Sequence, residues 1–219
     1  MKAVPVLIAV NVVVFLYTMG LVQNPRFQAT YALSAWGLEA GRWWQIFTHA
    51  FLHGNTLHLL FNMMGLWFAG RIVERVMGTG RFLVLYLAAA VTGGLFQIAF
   101  GGPGPLIGAS GAVFGVLIAF AMLFPQSRVV AILFFVPVRL RAKYFGWGLA
   151  LSSLILLVTG LLPGIGHAAH FGGCVAGYVF VRLTARRVPR PWTAQGSAPS
   201  VHGRYPHQAD HRNLHHNPG

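Results

Sequence analysis

Acidic side chains are scarce in this chain, which has three Asp and Glu residues against 16 Lys and Arg residues in a length of 219. Only 9% of the residues are charged and 56% are hydrophobic, whereas a soluble domain usually has about 25% charged residues. This composition argues against a soluble globular protein and indicates a helical domain in a lipid bilayer. The net charge of +13 then favours contact with anionic lipid headgroups over binding of nucleic acid.

Cysteine is scarcer still, because Cys174 is the single one in the chain. One cysteine excludes an internal disulfide framework and any metal site built from several cysteines. Cys174 lies among small residues in an apolar run, so we expect it to be a packing residue. The sequence implies no cofactor.

Apolar sequence, by contrast, is abundant and occurs in long runs. A helix needs roughly 20 apolar residues to cross a bilayer core. Six runs approach that length: 4–22, 57–76, 82–100, 110–124, 144–161 and 168–183. We therefore predict an all-α membrane protein with six transmembrane helices and a long external first loop. The run 129–138 is short, β-branched and broken by Pro137, and we interpret it as an interfacial connection.

The basic residues indicate how the predicted bundle is oriented. Except for Arg26 and Arg42, every Lys and Arg residue precedes the first run, lies in alternate connections or in the last turns of the runs that lead into them, or lies at or beyond the end of the sixth run. The positive-inside rule then places both termini in the cytoplasm of a multi-pass protein, which we assign to the cell inner (plasma) membrane. The first run lacks a small-residue cleavage site, so we expect a retained helix and not a signal peptide.

Two segments outside the apolar runs have distinct compositions. The first external loop, about residues 23–56, carries Trp36, Trp43 and Trp44, which suit the headgroup region. Residues 188–219 are rich in Pro, Gly, Ser and His, which indicates a disordered tail. We divide the chain into a membrane domain, 1–187, and a basic, His-rich cytoplasmic tail, 188–219. For the tail histidines we favour simple solvation, and weak metal binding is the alternative.

Polar side chains inside a membrane domain are costly and therefore mark candidate functional sites. Three polar groups begin the second, fourth and sixth helices: HGNTLHLLFN at 53–62, GASG at 108–111 and HAAHFGG at 167–173. In the predicted topology these three helices run in the same direction across the membrane. The three polar groups therefore lie together at the external end of the bundle.

Ser110 and His170 are the candidate nucleophile and base. A serine hydroxyl needs a base to take its proton, and histidine is the usual one. Small-xxx-small pairs let helix backbones approach closely in lipid. Each of the two residues is followed by such a pair: Gly111 with Gly115, and Gly173 with Gly177.

A carboxylate to complete a catalytic triad is missing near His170. Glu39 lies in the external loop, Glu74 at the inner end of the second helix and Asp210 in the tail. We therefore expect a Ser–His dyad, with His170 held by packing on Phe114. The fourth helix is short, roughly 22 Å long, and follows the irregular stretch 101–108. Such backbone at membrane depth indicates a water-filled pocket.

His58 and Asn62 are spaced i,i+4 on one helix face and are candidate oxyanion donors together with the Ser110 backbone amide. An interhelical hydrogen bond is the alternative for Asn62. We expect His49 and His53 to bond loop backbone. A zinc site built from His49, His53 and His58 is disfavoured, because no HExxH motif or carboxylate accompanies it.

Four elements occur along the chain: WWQIFTHAFLHGNTLHLLFNM at 43–63, ExxxG at 74–78, GASG at 108–111 and AHFGG at 169–173. Together they resemble the rhomboid family of intramembrane serine proteases, over roughly residues 4–186. The resemblance implies a six-helix fold, the dyad of Ser110 and His170, and oxyanion donation by His58 and Asn62. It implies single-span membrane protein substrates, cut near their outer end after a small residue. The residues expected to support the site are Gly108, Gly111, Phe114 and Gly173.

Two positions depart from the family pattern. The family often has arginine where Gln45 follows Trp44, which weakens the expected anchoring of the external loop unless Arg42 compensates. The family often has tyrosine where Phe114 stands. Phenylalanine keeps the stacking surface but loses a hydroxyl, which loosens the expected hold on His170.

Two other classes of function are alternatives to a protease. A catalytically silent rhomboid-like protein that binds transmembrane helices is the main alternative, and the presence of both Ser110 and His170 argues against it. A transporter or channel would need a polar path across the bilayer, whereas the inner halves of the helices are almost wholly apolar. The sequence does not indicate an oligomeric state.

Overall fold

The structure is a computed structural model that describes residues 2–133 and 136–184. The predicted tail, 188–219, lies outside the described residues. Within them the chain is mostly α-helical. The helices are α1 (Ala3–Thr18), α2 (Pro25–Tyr31), α3 (Ala35–Glu39), α4 (Gln45–Thr48), a 3-10 turn (His49–Phe51), α5 (Thr56–Gly65), a π-helical turn (Leu66–Gly70), α6 (Arg71–Met77), α7 (Thr79–Phe100), α8 (Ser110–Leu123), α9 (Ala142–Thr159) and α10 (His167–Thr184).

All six predicted apolar runs are helical in the structure. The second run is a rod of three segments, in which the π-helical turn joins α5 to α6. By length and hydropathy, α7 and α9 are each able to cross a membrane, while α1 and α8 are apolar but shorter. The count of six membrane crossings therefore stays a prediction.

The prediction of an all-α protein needs a correction between α8 and α9. The chain forms an antiparallel hairpin there, with strands β1 (Arg128–Leu133) and β2 (Val136–Arg141). Valine is frequent in both strands, and β-branched side chains fit the pleated surface of a strand better than a helix. The interfacial connection of the sequence analysis is thus a two-stranded sheet.

Three helices, α7, α8 and α10, contact one another backbone to backbone. A Cβ atom added to Gly173 of α10 would overlap the carbonyl oxygen of Gly111 in α8, and one added to Gly177 would overlap that of Gly115. A Cβ atom on Gly93 of α7 would lie 2.8 Å from the carbonyl oxygen of Ala169. The close approach predicted from the small-xxx-small pairs is confirmed, and it sets α8 and α10 side by side.

Much of the apolar surface of the helices faces outward. In the most apolar stretch of α9 only 17% of the residues are buried. Trp147 and Val158 of this helix have 67% and 77% of their surface exposed. A helix that is apolar on its outer side over such an area belongs in lipid or against another protein.

Glu74, in the middle of α6, joins the second rod to the start of α1. Its buried carboxylate accepts hydrogen bonds from the backbone N–H groups of Lys2, Ala3 and Val4 at 2.8, 2.9 and 3.2 Å, and from the Thr79 hydroxyl at 2.8 Å. The first N–H groups of a helix lack partners within the helix and favour a negative charge. Glu74 therefore caps α1, a role that the sequence analysis did not assign to it.

Candidate active site

Ser110 is the first residue of α8 and is positioned by the loop before it. The Gly108 N–H donates to the carbonyl oxygen of His49 at 2.8 Å, and Leu106 pairs with Leu33 through two backbone hydrogen bonds of 2.8 and 3.0 Å. Gly108 has a φ of +123°, a backbone conformation that glycine adopts without strain. The first loop therefore clamps the segment that carries Ser110, and Gly108 provides the turn into α8.

His170 lies in the first turn of α10, directly beside Ser110. Its Nε2 atom is 2.8 Å from the Ser110 Oγ atom, a normal hydrogen-bond length. The Phe114 ring stacks on the imidazole with 4.1 Å between ring centroids and 9° between planes. When the serine donates to Nε2, the ring proton of His170 resides on Nδ1. The structure thus brings together the three residues that the sequence analysis grouped.

The His58 imidazole lies against Gly108, two residues before Ser110. A Cβ atom on Gly108 would be 2.6 Å from Cε1 and 2.7 Å from Nε2 of His58, and 3.8 Å from the Ser110 Oγ atom. The imidazole of His58 therefore covers Gly108 on the side where Ser110 lies. The N-cap residue Asn55 accepts from the His58 N–H at 2.8 Å and fixes the first turn of α5, a signal that the sequence analysis passed over.

Asn62 is buried one turn further along α5. Its Nδ2 atom donates to the His58 carbonyl oxygen at 2.9 Å. An amide nitrogen has two N–H groups, so one remains for another acceptor. Among the described residues Asn62 makes no hydrogen bond to another helix, and the interhelical bond considered for it is not found there.

His49 and His53 lie near the end of the first loop, shortly before α5. His49 Nδ1 lies 2.8 Å from the Gln45 carbonyl oxygen, and since a carbonyl only accepts, Nδ1 carries the proton. His53 is fully buried, has no hydrogen-bond partner among the described residues, and meets the His58 ring edge-on at 5.0 Å. Burial lowers the pKa of each to about 4, and the nearby His58 adds to the effect on His53.

Gln45 anchors the first loop, where the sequence analysis expected a weakness. Its side chain is fully buried; Nε2 donates to the Ala29 carbonyl oxygen at 2.8 Å and Oε1 accepts from the Ser34 N–H at 3.3 Å. Arg42 also donates to the Ala29 carbonyl oxygen, at 3.2 Å. The arginine compensates as considered, and the glutamine itself ties α4 to α2 and α3.

No carboxylate in the described part of the chain hydrogen-bonds to His170. Glu74 is occupied at the start of α1, and Asp210 lies outside the described residues. The neighbour of His170 is His167, edge-on with 6.1 Å between ring centroids. His167 Nε2 is 3.2 Å from the Leu162 carbonyl oxygen, a positioning contact that the sequence analysis did not identify. Over residues 2–133 and 136–184, no group of three His, Cys, Asp or Glu side chains is arranged as a metal site.

Comparison with known proteins places this arrangement in a family. Residues 40–187 match the model of the Rhomboid domain. The chain is 34% identical over 142 residues to Rhomboid protease GluP of Bacillus subtilis (strain 168), which covers 64% of this chain and 26% of GluP. It is 33% identical over 188 residues to Rhomboid protein 1, mitochondrial, of Saccharomyces cerevisiae, covering 80% of this chain and 51% of that protein.

A third relative agrees with these two. Rhomboid protease GlpG of Klebsiella pneumoniae (strain ATCC 700721 / MGH 78578) is 33% identical over 136 residues, covering 61% of this chain and 44% of GlpG. The matches thus extend over between about a quarter and a half of the length of these relatives. Because the Rhomboid domain model matches most of the chain, including Ser110, His170, His58 and Asn62, this protein belongs to the rhomboid family of integral membrane proteins.

Proposed function

We propose that this protein is an intramembrane serine endopeptidase that cuts transmembrane segments of other membrane proteins near their outer end. The observation that carries the proposal is the 2.8 Å contact between Ser110 Oγ and His170 Nε2. Membership of a family whose relatives are named rhomboid proteases supports it. The proposed substrates are single-span membrane proteins, cut after a small residue.

The chemistry follows from the dyad. Ser110 Oγ attacks the scissile carbonyl carbon while His170 Nε2 takes its proton. The tetrahedral intermediate collapses when the C–N bond breaks and His170 returns the proton to the leaving amine. Water then attacks the acyl-enzyme ester while His170 takes its proton. The bond between the acyl carbon and Ser110 Oγ breaks, His170 returns the proton to Oγ, and the new carboxyl terminus is released. Since no carboxylate of the described residues hydrogen-bonds to His170, its orientation depends on the stacked Phe114 ring.

The oxyanion that forms in both steps needs hydrogen-bond donors. The Ser110 backbone N–H is at the start of α8, where N–H groups have no partner within the helix. His58 covers Gly108 next to it, and Asn62 has one N–H beyond the bond to the His58 carbonyl oxygen. We assign oxyanion donation to these three groups.

The membrane placement is also part of the proposal. We infer six crossings, both termini in the cytoplasm and residence in the cell inner membrane. The outward-facing apolar surface of α9 and the exposed Trp36, Trp43 and Trp44 of the first loop support this placement. Ser110 then lies at the outer end of a helix too short to cross the bilayer core by itself, below the surface.

The test uses purified full-length protein in liposomes with a model single-span substrate and a gel shift as readout. We expect the wild type to cut, and Ser110→Ala and His170→Ala to lose at least about a hundredfold in rate. Ser152→Ala is the matched control, because this exposed α9 serine bonds only the Leu149 carbonyl oxygen. Its rate should equal that of the wild type.

Two outcomes would contradict the proposal. Cleavage by Ser110→Ala at the wild-type rate would show that another group is the nucleophile. A wild-type protein that captures the substrate helix but neither cuts it nor reacts with a fluorophosphonate would be the silent rhomboid-like protein instead.

A further inference from the structure

We propose that the β1–β2 hairpin binds the headgroup of an anionic phospholipid through an arginine face that consists of Arg128, Arg139 and Arg141. The site lies at the end of α8 remote from Ser110, since α8 begins at Ser110 and the hairpin follows its last residue, Leu123. The proposal is therefore independent of the peptidase activity.

The strand register places all three arginines on the same side of the hairpin. Arg128 lies opposite Arg141, and Val130 lies opposite Arg139. Residues directly opposite each other in an antiparallel pair share a face, as do residues two apart along a strand. All three arginines are exposed. The other face carries Val129, which packs against the helical core, and the buried Ala131.

This arrangement lacks its own counter-charge in the described part of the chain. Like charges directly opposite each other across two strands destabilise the pairing. Glu74 is occupied at the start of α1, and Glu39 ends α3 in the first loop, which packs at the other end of α8. The polar contact of Arg141 is to the neutral Gln126 Oε1 at 3.0 Å. An anion from outside these residues would relieve the repulsion.

The space between the arginines suits a phosphate group. A cleft of about 240 Å³ is lined by Arg128, Arg139, Leu140 and Arg141. Guanidinium groups bind phosphate oxygens with pairs of parallel hydrogen bonds, and such bonds are stronger than those between neutral groups. The cleft therefore has the charge and the hydrogen-bond donors for a phosphodiester.

The surroundings favour a lipid as the source of this phosphate. Beside the hairpin, at the start of α9, Lys143 lies 4.8 Å from the exposed Tyr144 ring. Trp147 pairs with Tyr178 of α10 at 6.3 Å, and Arg182 lies 5.9 Å from that tyrosine ring. Exposed Trp and Tyr residues with basic neighbours mark the level of the lipid headgroups. The arginine face thus opens at that level.

The first experiment measures lipid binding by the full-length purified chain in detergent. Native mass spectrometry gives the apparent Kd for phosphatidylglycerol and for phosphatidylcholine with the same acyl chains. We expect phosphatidylglycerol to bind at least about tenfold more tightly. Equal affinity for the two lipids overturns the proposal. Displacement of phosphatidylglycerol by an equal concentration of inorganic phosphate identifies dissolved phosphate as the ligand and also overturns it.

A pair of matched double variants tests whether the arginine face is the site. Arg128→Gln with Arg139→Gln should weaken phosphatidylglycerol binding by roughly 30-fold, five- to six-fold for each arginine near an anionic surface. Arg75→Gln with Arg81→Gln removes the same charge from two exposed positions of α6 and α7. This control should weaken binding by less than about threefold. Equal losses in the two variants mean that net charge alone attracts the lipid, and the site is refuted.

A single substitution gives an independent test if the glutamine variant does not fold. Val130 is 62% exposed and lies directly opposite Arg139, so Val130→Glu places a carboxylate among the arginines. A cross-strand pair of opposite charge stabilises a hairpin. We expect Val130→Glu to raise the thermal unfolding midpoint and to weaken phosphatidylglycerol binding at least about tenfold. Wild-type affinity in this variant overturns the proposal.

Discussion

At the scale of single residues, His170 is oriented by an aromatic face instead of a carboxylate. The Phe114 ring lies parallel to the His170 imidazole, with 4.1 Å between ring centroids. In this orientation the imidazole directs its Nε2 atom at Ser110 Oγ. In a Ser–His–Asp triad the carboxylate also stabilises the imidazolium that forms during the reaction. A stacked ring only orients the imidazole. The rate of the chemical step should therefore depend more on the position of Phe114 than the rate of a triad enzyme depends on a residue beside its histidine.

Replacement of this ring should therefore slow the chemical step. We expect Phe114→Leu to lower kcat up to about tenfold and to leave KM within about twofold, because an aromatic pair contributes about 0.5–1.5 kcal/mol beyond its buried area. Phe114→Tyr keeps the ring and should retain at least the wild-type kcat. Cleavage kinetics of a fluorogenic transmembrane peptide in detergent give both constants.

Phe100→Leu serves as the control, since Phe100 is exposed at the end of α7 and its aromatic contact is with Phe96, not with Ser110 or His170. It should leave both constants unchanged. A Phe114→Leu enzyme with wild-type kcat would mean that the backbone of α10 alone holds His170.

The contact between Ser110 and His170 was predictable from the sequence, whereas some of the contacts that support this region were not. Ser110 and His170 are polar residues at equivalent ends of parallel helices, each followed by a glycine pair, and topology alone brings such residues together. Glu74 and Gln45 instead bind backbone groups 70 to 72 and 11 to 16 residues away. Backbone N–H and C=O groups are present at every residue, so a sequence gives no sign of which ones a side chain will meet.

At the scale of secondary-structure elements, the contact between α8 and α10 decides whether the dyad forms. The two helices approach at Gly111 with Gly173, and again one turn along at Gly115 with Gly177. Lipid provides no hydrophobic force between helices, so close van der Waals packing has to supply the association. The first of these contacts is within one turn of both Ser110 and His170.

A methyl group at this contact should separate the helices. Gly173→Ala would place Cβ on the carbonyl oxygen of Gly111, and overpacking of this kind costs about 1–3 kcal/mol or more. We expect a clearly lower thermal unfolding midpoint in detergent and loss of cleavage, because Ser110 and His170 move apart.

Gly148→Ala provides the matched comparison. Gly148 lies within α9, and a Cβ atom there would have nothing within 4 Å. Alanine is favoured over glycine inside a helix by about 0.5–1 kcal/mol, so this variant should be as stable as the wild type or more stable. Equal stability of the Gly173 and Gly148 variants would show that α10 shifts to accept the methyl group.

The elements themselves were largely predictable, with two exceptions. Long apolar runs gave the positions of the six helical segments, because the length of a run separates a long helix from a strand. The hairpin at 128–141 was missed as a sheet, since a ten-residue apolar run fits either a strand or a short buried helix. The π-helical turn at Leu66–Gly70 follows Gly65, where an added Cβ atom would lie 2.7 Å from the Val113 side chain of α8. Periodicity contains no information about such a contact.

At the scale of the whole molecule, the shortage of acidic residues leaves few carboxylates to pair with buried histidines. Three carboxylates serve a chain with 16 Lys and Arg and 10 His residues, and Glu74 is used to cap α1. His49 and His53, buried within the first loop, have no carboxylate within hydrogen-bonding distance in the described part of the chain. The folded state therefore favours the neutral form of these two imidazoles.

The stability of the folded protein should accordingly fall in mild acid. Burial lowers the pKa of His49 and His53 to about 4 from an ordinary value of 6.5. Between these values the unfolded chain binds more protons than the folded one, so the free energy of unfolding is largest above pH 6.5 and decreases as the pH falls toward 4. The slope is at most about 1.4 kcal/mol per pH unit for each histidine.

We expect thermal unfolding midpoints in detergent to decrease steadily between pH 7 and pH 4.5. His53→Phe removes one titrating group whose ring nitrogens have no hydrogen-bond partner among the described residues, and it should make this decrease measurably smaller. An unchanged pH dependence in His53→Phe would mean that groups other than His53 cause the loss of stability in acid.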